Sequence, residues 1–99
     1  MAIAEVTVVP LGTKETSLSN YVADCHKVLK EQDKVDYELT PMGTILEGNI
    51  NEIFDIVKKL HEVPFGEGAK RVSTNLKIDD RRDKKGSMKQ KINSVNDKL

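Results

Sequence analysis

Four segments alternate with a period of two, two repeat apolar residues at helical spacing, and their order is strand, helix, strand, strand, helix, strand. These observations predict an α+β fold of the ferredoxin-like βαββαβ type. Its four-stranded antiparallel sheet carries two helices on one face, and a further C-terminal helix is expected. A chain of 99 residues holds one domain, taken as 1–99 with the final helix at 86–99.

Ala2 to Leu11 opens as a strand. Ala4, Val6 and Val8 make an apolar face, while Ile3, Glu5, Thr7 and Val9 make a mixed one. Leu18, Val22, Cys25 and Leu29 then fall on one helical stripe widened by Tyr21 and Val28, predicting a helix over 17–31 with Thr16 or Ser17 as cap. Val35 to Thr40 and Thr44 to Gly48 read as a hairpin about Pro41-Met42-Gly43, because proline cannot donate to a ladder. Asn49 to Asn51 supply caps for a second helix whose face is Ile53, Phe54, Val57 and Leu60. Pro64 is expected to end it. Ala69 to Asp80 is the longest strand, with Val72, Thr74, Leu76 and Ile78 on one face and Arg71, Ser73, Asn75 and Lys77 on the other. After Gly86, Met88, Ile92, Val95 and Leu99 repeat the helical stripe.

Composition excludes several function classes. Lys plus Arg and Asp plus Glu both number 16, so no global field draws the chain onto nucleic acid or an acidic membrane. Aromatics are 4% with no Trp, and the sheet strands lack the exposed rings of base-stacking modules. No apolar run spans a bilayer, and the first residues lack a signal-peptide pattern, so a cytoplasmic protein is expected. One cysteine excludes an intrachain disulfide. Cys25 sits on the core stripe, and His26 lies about 100° round the helix from it. His61 reads as a helix-terminal cation. No metal set, cofactor loop or nucleophile–base pair is visible, so neither metal nor cofactor is expected.

The sheet face away from the helices gathers Glu5, Thr7, Glu38, Thr40, Arg71, Ser73, Asn75 and Lys77, with Ile45 and Glu47 expected beside them. It reads either as a solvated face or as a polar ligand site or subunit interface. The mixed-sign run Asp79 to Lys85 reads as self-compensating.

Glu5-Val6-Thr7-Val8-Val9-Pro10-Leu11-Gly12-Thr13, Tyr37-Glu38-Leu39-Thr40-Pro41-Met42-Gly43-Thr44 with Glu47-Gly48, His61-Glu62-Val63-Pro64-Phe65, Arg71-Val72-Ser73-Thr74 and Lys77-Ile78-Asp79-Asp80-Arg81-Arg82 together resemble the small thiamine-binding protein family, single-domain relatives of the YkoF-like proteins. The resemblance implies a ferredoxin-like fold in dimers or tetramers. It also implies non-catalytic binding of thiamine or its hydroxymethylpyrimidine moiety, in salvage, buffering or transport. An ACT-like regulatory or assembly module is the alternative, and an enzyme acting on a small heterocycle is a third reading.

Ligand chemistry applied to these motifs selects Glu47 and Glu5 as carboxylates. It selects Thr44, Thr40, Thr7 and Ser73 as hydroxyls and Asn75 as an amide. Tyr21 and Tyr37 are aromatic candidates with a stronger claim to core packing. Ser17, Ser19 and Asn20 could line the site from the start of the helix. Glu47 and Thr44 are expected to present together from the stiff Pro41-Met42-Gly43 turn.

Overall fold

The computed structural model describes residues 1–12, 19–83, 92, 95 and 96. Six elements follow in order: β1 (Ala2–Leu11), α1 (Ser19–Lys30), β2 (Asp36–Thr40), β3 (Gly43–Gly48), α2 (Ile50–Gly66) and β4 (Arg71–Asp80). The strands form one antiparallel four-stranded sheet in the order β2-β3-β1-β4. The proposed caps of the first helix at Thr16 and Ser17 lie outside the described residues. So does most of the expected C-terminal helix, of which Ile92, Val95 and Asn96 are described and helical.

Register explains which residues enter the core. In β1, Ala2, Ala4 and Val6 are buried and stand opposite Gly48, Leu46 and Thr44 of β3. A strand turns alternate side chains to opposite faces, so this row faces the helices and Ile3, Glu5 and Thr7 face away. From above come Leu29 of α1 and Ile53, Ile56, Val57 and Leu60 of α2, completing the core with Val35 and Leu46.

Two expected helix faces are corrected. Phe54 is exposed and Ile56 takes its place, because 53, 56, 57 and 60 share one stripe while 54 lies about 100° off it. Val22 of α1 is also exposed, at the mouth of a cavity described below.

Proline does not stop α2 where expected. Pro64 lies inside the helix, fully buried, and the helix continues to Gly66. It closes tightly: the Glu67 amide donates to the Pro64 carbonyl at 3.1 Å and the Gly68 amide to Phe65 at 3.1 Å. Burial of the ring against the core holds a proline that would disfavour a solvent-exposed helix. The helix start agrees with expectation, since Asn49 accepts from the Asn51 amide at 2.9 Å.

One side chain fixes the link from α1 to β2. The Gln32 amide donates to the carbonyls of Leu29 (3.0 Å) and Val35 (2.7 Å), and its oxygen accepts from the amides of Lys34 and Val35. A loop stitched at four points sets the entry of β2 without a proline or glycine.

Candidate functional site

The unequal lengths of β1 and β3 create a cavity between the sheet and α1. β1 pairs with β4 as far as Leu11, yet with β3 only as far as Val6. There β3 turns back through Pro41-Met42 into β2, with Thr40 opposite Gly43. The far half of β1 therefore has an open flank, and α1 roofs it with Tyr21, Val22 and Cys25. The cavity, open to solvent at Val22, Leu39 and Met42, has a volume of about 300 Å³, near the lower end for small-molecule sites.

Its wall is mostly apolar: Val6, Val8, Leu39 and Leu60 lie inside and Met42 at the rim. The polar residues of the lining are Thr44, Tyr21 and Cys25 on the helix side, with Thr7 and Thr40 bordering it from strand positions whose side chains alternate to the open face. No described lining residue carries a formal charge. Burial, with a smaller contribution from Asp24, pushes the Cys25 thiol above its ordinary pKa and keeps it protonated at neutral pH.

The hairpin forming one wall is held by its own side chain. The Thr40 hydroxyl donates to the Gly43 carbonyl at 2.8 Å and accepts from the Met42 amide at 3.3 Å. Gly43 sits so close to β1 that a Cβ there would lie 3.1 Å from the Val6 carbonyl oxygen, and its φ of +156° is one L side chains rarely adopt. The glycine thus brings the hairpin against β1 at the cavity's edge.

The seven residues expected from the sequence divide between two places. Thr7, Thr40 and Thr44 line the cavity. Thr44 stands opposite Val6 on the helix side, whereas Glu47 stands opposite Ile3 on the open side, so the two do not present together. Glu5 is exposed on the open face between Ile45 and Lys77, in a hollow of about 180 Å³. Ser73 and Asn75 are exposed on the same face in β4, opposite Val9 and Thr7. Val8, Leu39 and Leu60 were not expected at a site, and Met42 was expected only as an apolar member of the open sheet face; the signal for them is β1 being longer than β3 ahead of a two-residue turn.

The two histidines differ: His61 has a hydrogen-bond partner, whereas His26 makes a ring contact and its buried Nδ1 has no hydrogen-bond partner among the described residues. His61 Nδ1 lies 2.7 Å from the Thr74 hydroxyl, joining α2 to β4, and its ring meets Phe65 edge-on. The expectation of a helix-terminal cation is corrected, because α2 runs on past His61. His26 packs edge-on against Tyr37 at 5.6 Å. Among the described residues no three His, Cys, Asp or Glu side chains gather as a metal site. No helix among them is long and apolar enough to cross a membrane. At the end of β4 and just beyond it, Arg82 pairs with Asp80 at 2.9 Å and Arg81 with Asp83 at 2.7 Å, while Lys84 and Lys85 of the expected self-compensating run lie outside the described residues.

A family profile described as thiamine-binding protein matches residues 4–96. The chain belongs to the thiamine-binding protein family. It is 49% identical to the UPF0045 protein YqgV of Bacillus subtilis, over 100% of this chain and 98% of that one. It is 47% identical to a UPF0045 protein of Methanothermobacter thermautotrophicus over the full length of both. The crystal structure of MJ1052 from Methanocaldococcus jannaschii superposes with a TM-score of 0.84 at 37% identity, covering 96% of this chain and 95% of that one. A Thermotoga maritima protein described as a candidate thiamine biosynthesis/salvage protein shares the fold, with a TM-score of 0.75 at 24% identity over 95% and 97% of the chains.

Proposed function

We propose that this chain is a non-catalytic, cytoplasmic binding protein for thiamine or its hydroxymethylpyrimidine moiety, serving salvage, buffering or transport. It works as a homo-oligomer on a ferredoxin-like scaffold. The observation that carries this reading is the uncharged, mostly apolar cavity of about 300 Å³ beside the β2–β3 hairpin, in a member of a thiamine-binding family.

Thiamine has a neutral aminopyrimidine and a cationic thiazolium. A cavity without a carboxylate favours the neutral ring, whose faces suit Val6, Val8 and Leu39. Thr44 and the Tyr21 phenol suit its edge, since each hydroxyl can donate and accept, while Thr7 borders the cavity from the open side of β1. The Thr40 hydroxyl already serves the turn, so Thr40 contributes mainly shape. The thiazolium is left toward the rim at Met42. Glu5, Glu47, Ser73 and Asn75 belong in this reading to the open sheet face rather than to the ring.

The same lining supports the non-catalytic reading: the Cys25 thiol is held protonated, His26 packs its ring against Tyr37 and His61 contacts Thr74. No relative described above points to the ACT-like alternative.

Calorimetric titration with thiamine, hydroxymethylpyrimidine and the thiazole fragment separately tests this. Binding of the pyrimidine fragment within about tenfold of thiamine, with no heat from the thiazole alone, is expected. Binding of the thiazole fragment without the pyrimidine would overturn it.

A further inference from the structure

We propose that the backbone N–H and C=O of Val8, on the open flank of β1, read the donor–acceptor edge of an aminopyrimidine, pairing with it as a neighbouring strand would. The pairing rests on the ligand reading above and names the group that makes the cavity selective for a ring nitrogen beside an amine.

Two observations fix which way the Val8 backbone points. Along an antiparallel strand the N–H and C=O of one residue turn to the same side, and those of the next residue to the other. A Cβ on Gly43 would lie 3.1 Å from the Val6 carbonyl oxygen, so the Val6 groups point toward β3. Pro10 has no N–H, yet it stands in register opposite Val72 of β4. A strand tolerates this where the missing donor faces away from the ladder. Val6, Val8 and Pro10 are two residues apart in turn, so all three direct their backbone groups to the β3 side. Thr7 and Val9 direct theirs to β4, where Asn75 and Ser73 stand opposite.

On the β3 side the partner strand has already left. Its ladder with β1 ends at Val6, and no turn or loop hydrogen bond among the described residues reaches Val8. The cavity is lined there by Val6 to Val9 and across from them by Leu39 to Thr44, so it takes the place of a continued β3. Pro10 can offer a carbonyl only. Val8 presents both a donor and an acceptor to this space.

The pair is selective because its polarity is fixed. The hydroxyls of Thr44 and Tyr21 can each donate or accept, so by themselves they do not tell an amine from a ring nitrogen. A backbone N–H only donates and a backbone C=O only accepts. One edge of an aminopyrimidine carries an acceptor, the ring nitrogen, beside a donor, the exocyclic amine. The Val8 N–H donates to the ring nitrogen, and the amine donates to the Val8 carbonyl. Thr44 and Tyr21 are left for the remaining edge. An analogue lacking either group leaves its protein partner unpaired and is rejected.

Pro10 suggests the decisive variant. A proline at position 8 falls on the same side of the strand as Pro10, so Val8→Pro removes the donor facing the cavity and spares the β1–β4 ladder. Val8→Ala is the control, trimming the side chain but keeping the N–H. In calorimetric titration with hydroxymethylpyrimidine, Val8→Pro should bind about tenfold more weakly than Val8→Ala, with the circular dichroism of both unchanged. The analogue with hydrogen in place of the amine should bind the native chain about tenfold more weakly than hydroxymethylpyrimidine. Amide hydrogen exchange at Val8, followed by NMR in the native chain, should slow by about tenfold or more on saturation with hydroxymethylpyrimidine.

Three outcomes each overturn the Val8 pairing and leave the ligand reading standing: Val8→Pro binding as tightly as Val8→Ala, equal binding of the analogue without the amine, or Val8 exchange unchanged by bound pyrimidine. The last two use the native chain and so do not depend on how a variant folds. Absence of heat from both hydroxymethylpyrimidine and thiamine overturns the ligand reading and the pairing together.

Discussion

The Cys25 thiol of α1 lies 4.0 Å from the carbonyl oxygen of Leu60 in α2, the carbonyl that Pro64 cannot serve because proline has no amide hydrogen. In an uninterrupted helix the residue at position 64 would donate to Leu60. A weak S–H donor from the neighbouring helix approaches that acceptor instead, where both residues line the cavity. One proline thus couples the end of α2 to the packing of α1.

Cys25→Ala should cost stability on the order of 1 kcal/mol, from lost packing and the loss of a donor to Leu60. Cys25→Ser, whose hydroxyl is shorter but a better donor, should cost less if the Leu60 carbonyl is the dominant partner. Urea denaturation of the two variants compares them. An alanine variant as stable as the native chain would mean the contact contributes nothing.

The raised Cys25 pKa carries a sign that can be checked. A folded thiol that holds its proton more tightly than the unfolded one stabilises the folded state less as pH rises. Stability should decline above about pH 8.5, where the unfolded chain starts to form thiolate. Denaturation midpoints from pH 7 to 10 should fall more steeply for the native chain than for Cys25→Ala. Alkylation of the folded protein at pH 7.5 should be slow, and slower still when the cavity is filled.

The two sheet faces separate under paired substitutions. Thr44→Val keeps size and removes a hydroxyl at the cavity. Affinity for the pyrimidine should fall by roughly 0.5–1.5 kcal/mol, the range for a neutral hydrogen bond, with little change in melting temperature. Glu47→Gln should leave affinity unchanged. A loss of about 1.5–3 kcal/mol from Glu47→Gln, the range for a charged group, would move the ligand to the open face.

His61 and Thr74 should couple. Each single variant, His61→Ala and Thr74→Val, removes one side of the 2.7 Å contact between α2 and β4. A double-mutant cycle by chemical denaturation should give a coupling of about 0.5–1.5 kcal/mol. Additive effects would show that the contact has no net worth.

Gly43→Ala should destabilise by about 1–3 kcal/mol, because the new Cβ meets the Val6 carbonyl at 3.1 Å in a strained conformation. Pyrimidine affinity should fall with it, since the hairpin forms a wall of the cavity. Thermal unfolding and titration of one sample check both.

The sequence by itself determined the periodicities, and these are local. Alternation in Ala2–Leu11 and Arg71–Asp80, the Asn49 cap and the Pro41-Met42 hairpin follow from side-chain direction, capping oxygens and the missing proline donor. The apolar face of β1 and the family motifs were readable for the same reason. Tertiary structure alone decided what depends on register and relative length. It settled the register of β3, with Thr44 opposite Val6 on the helix side and Glu47 opposite Ile3 on the open side; the odd spacing of the two was already legible in the alternation and excludes their presenting together. It let Pro64 stay helical, because burial of its ring offsets the lost hydrogen bond. It also opened the cavity, because β3 turns away at Gly43 while β1 continues to Leu11, and no pattern within either strand records where its neighbour stops.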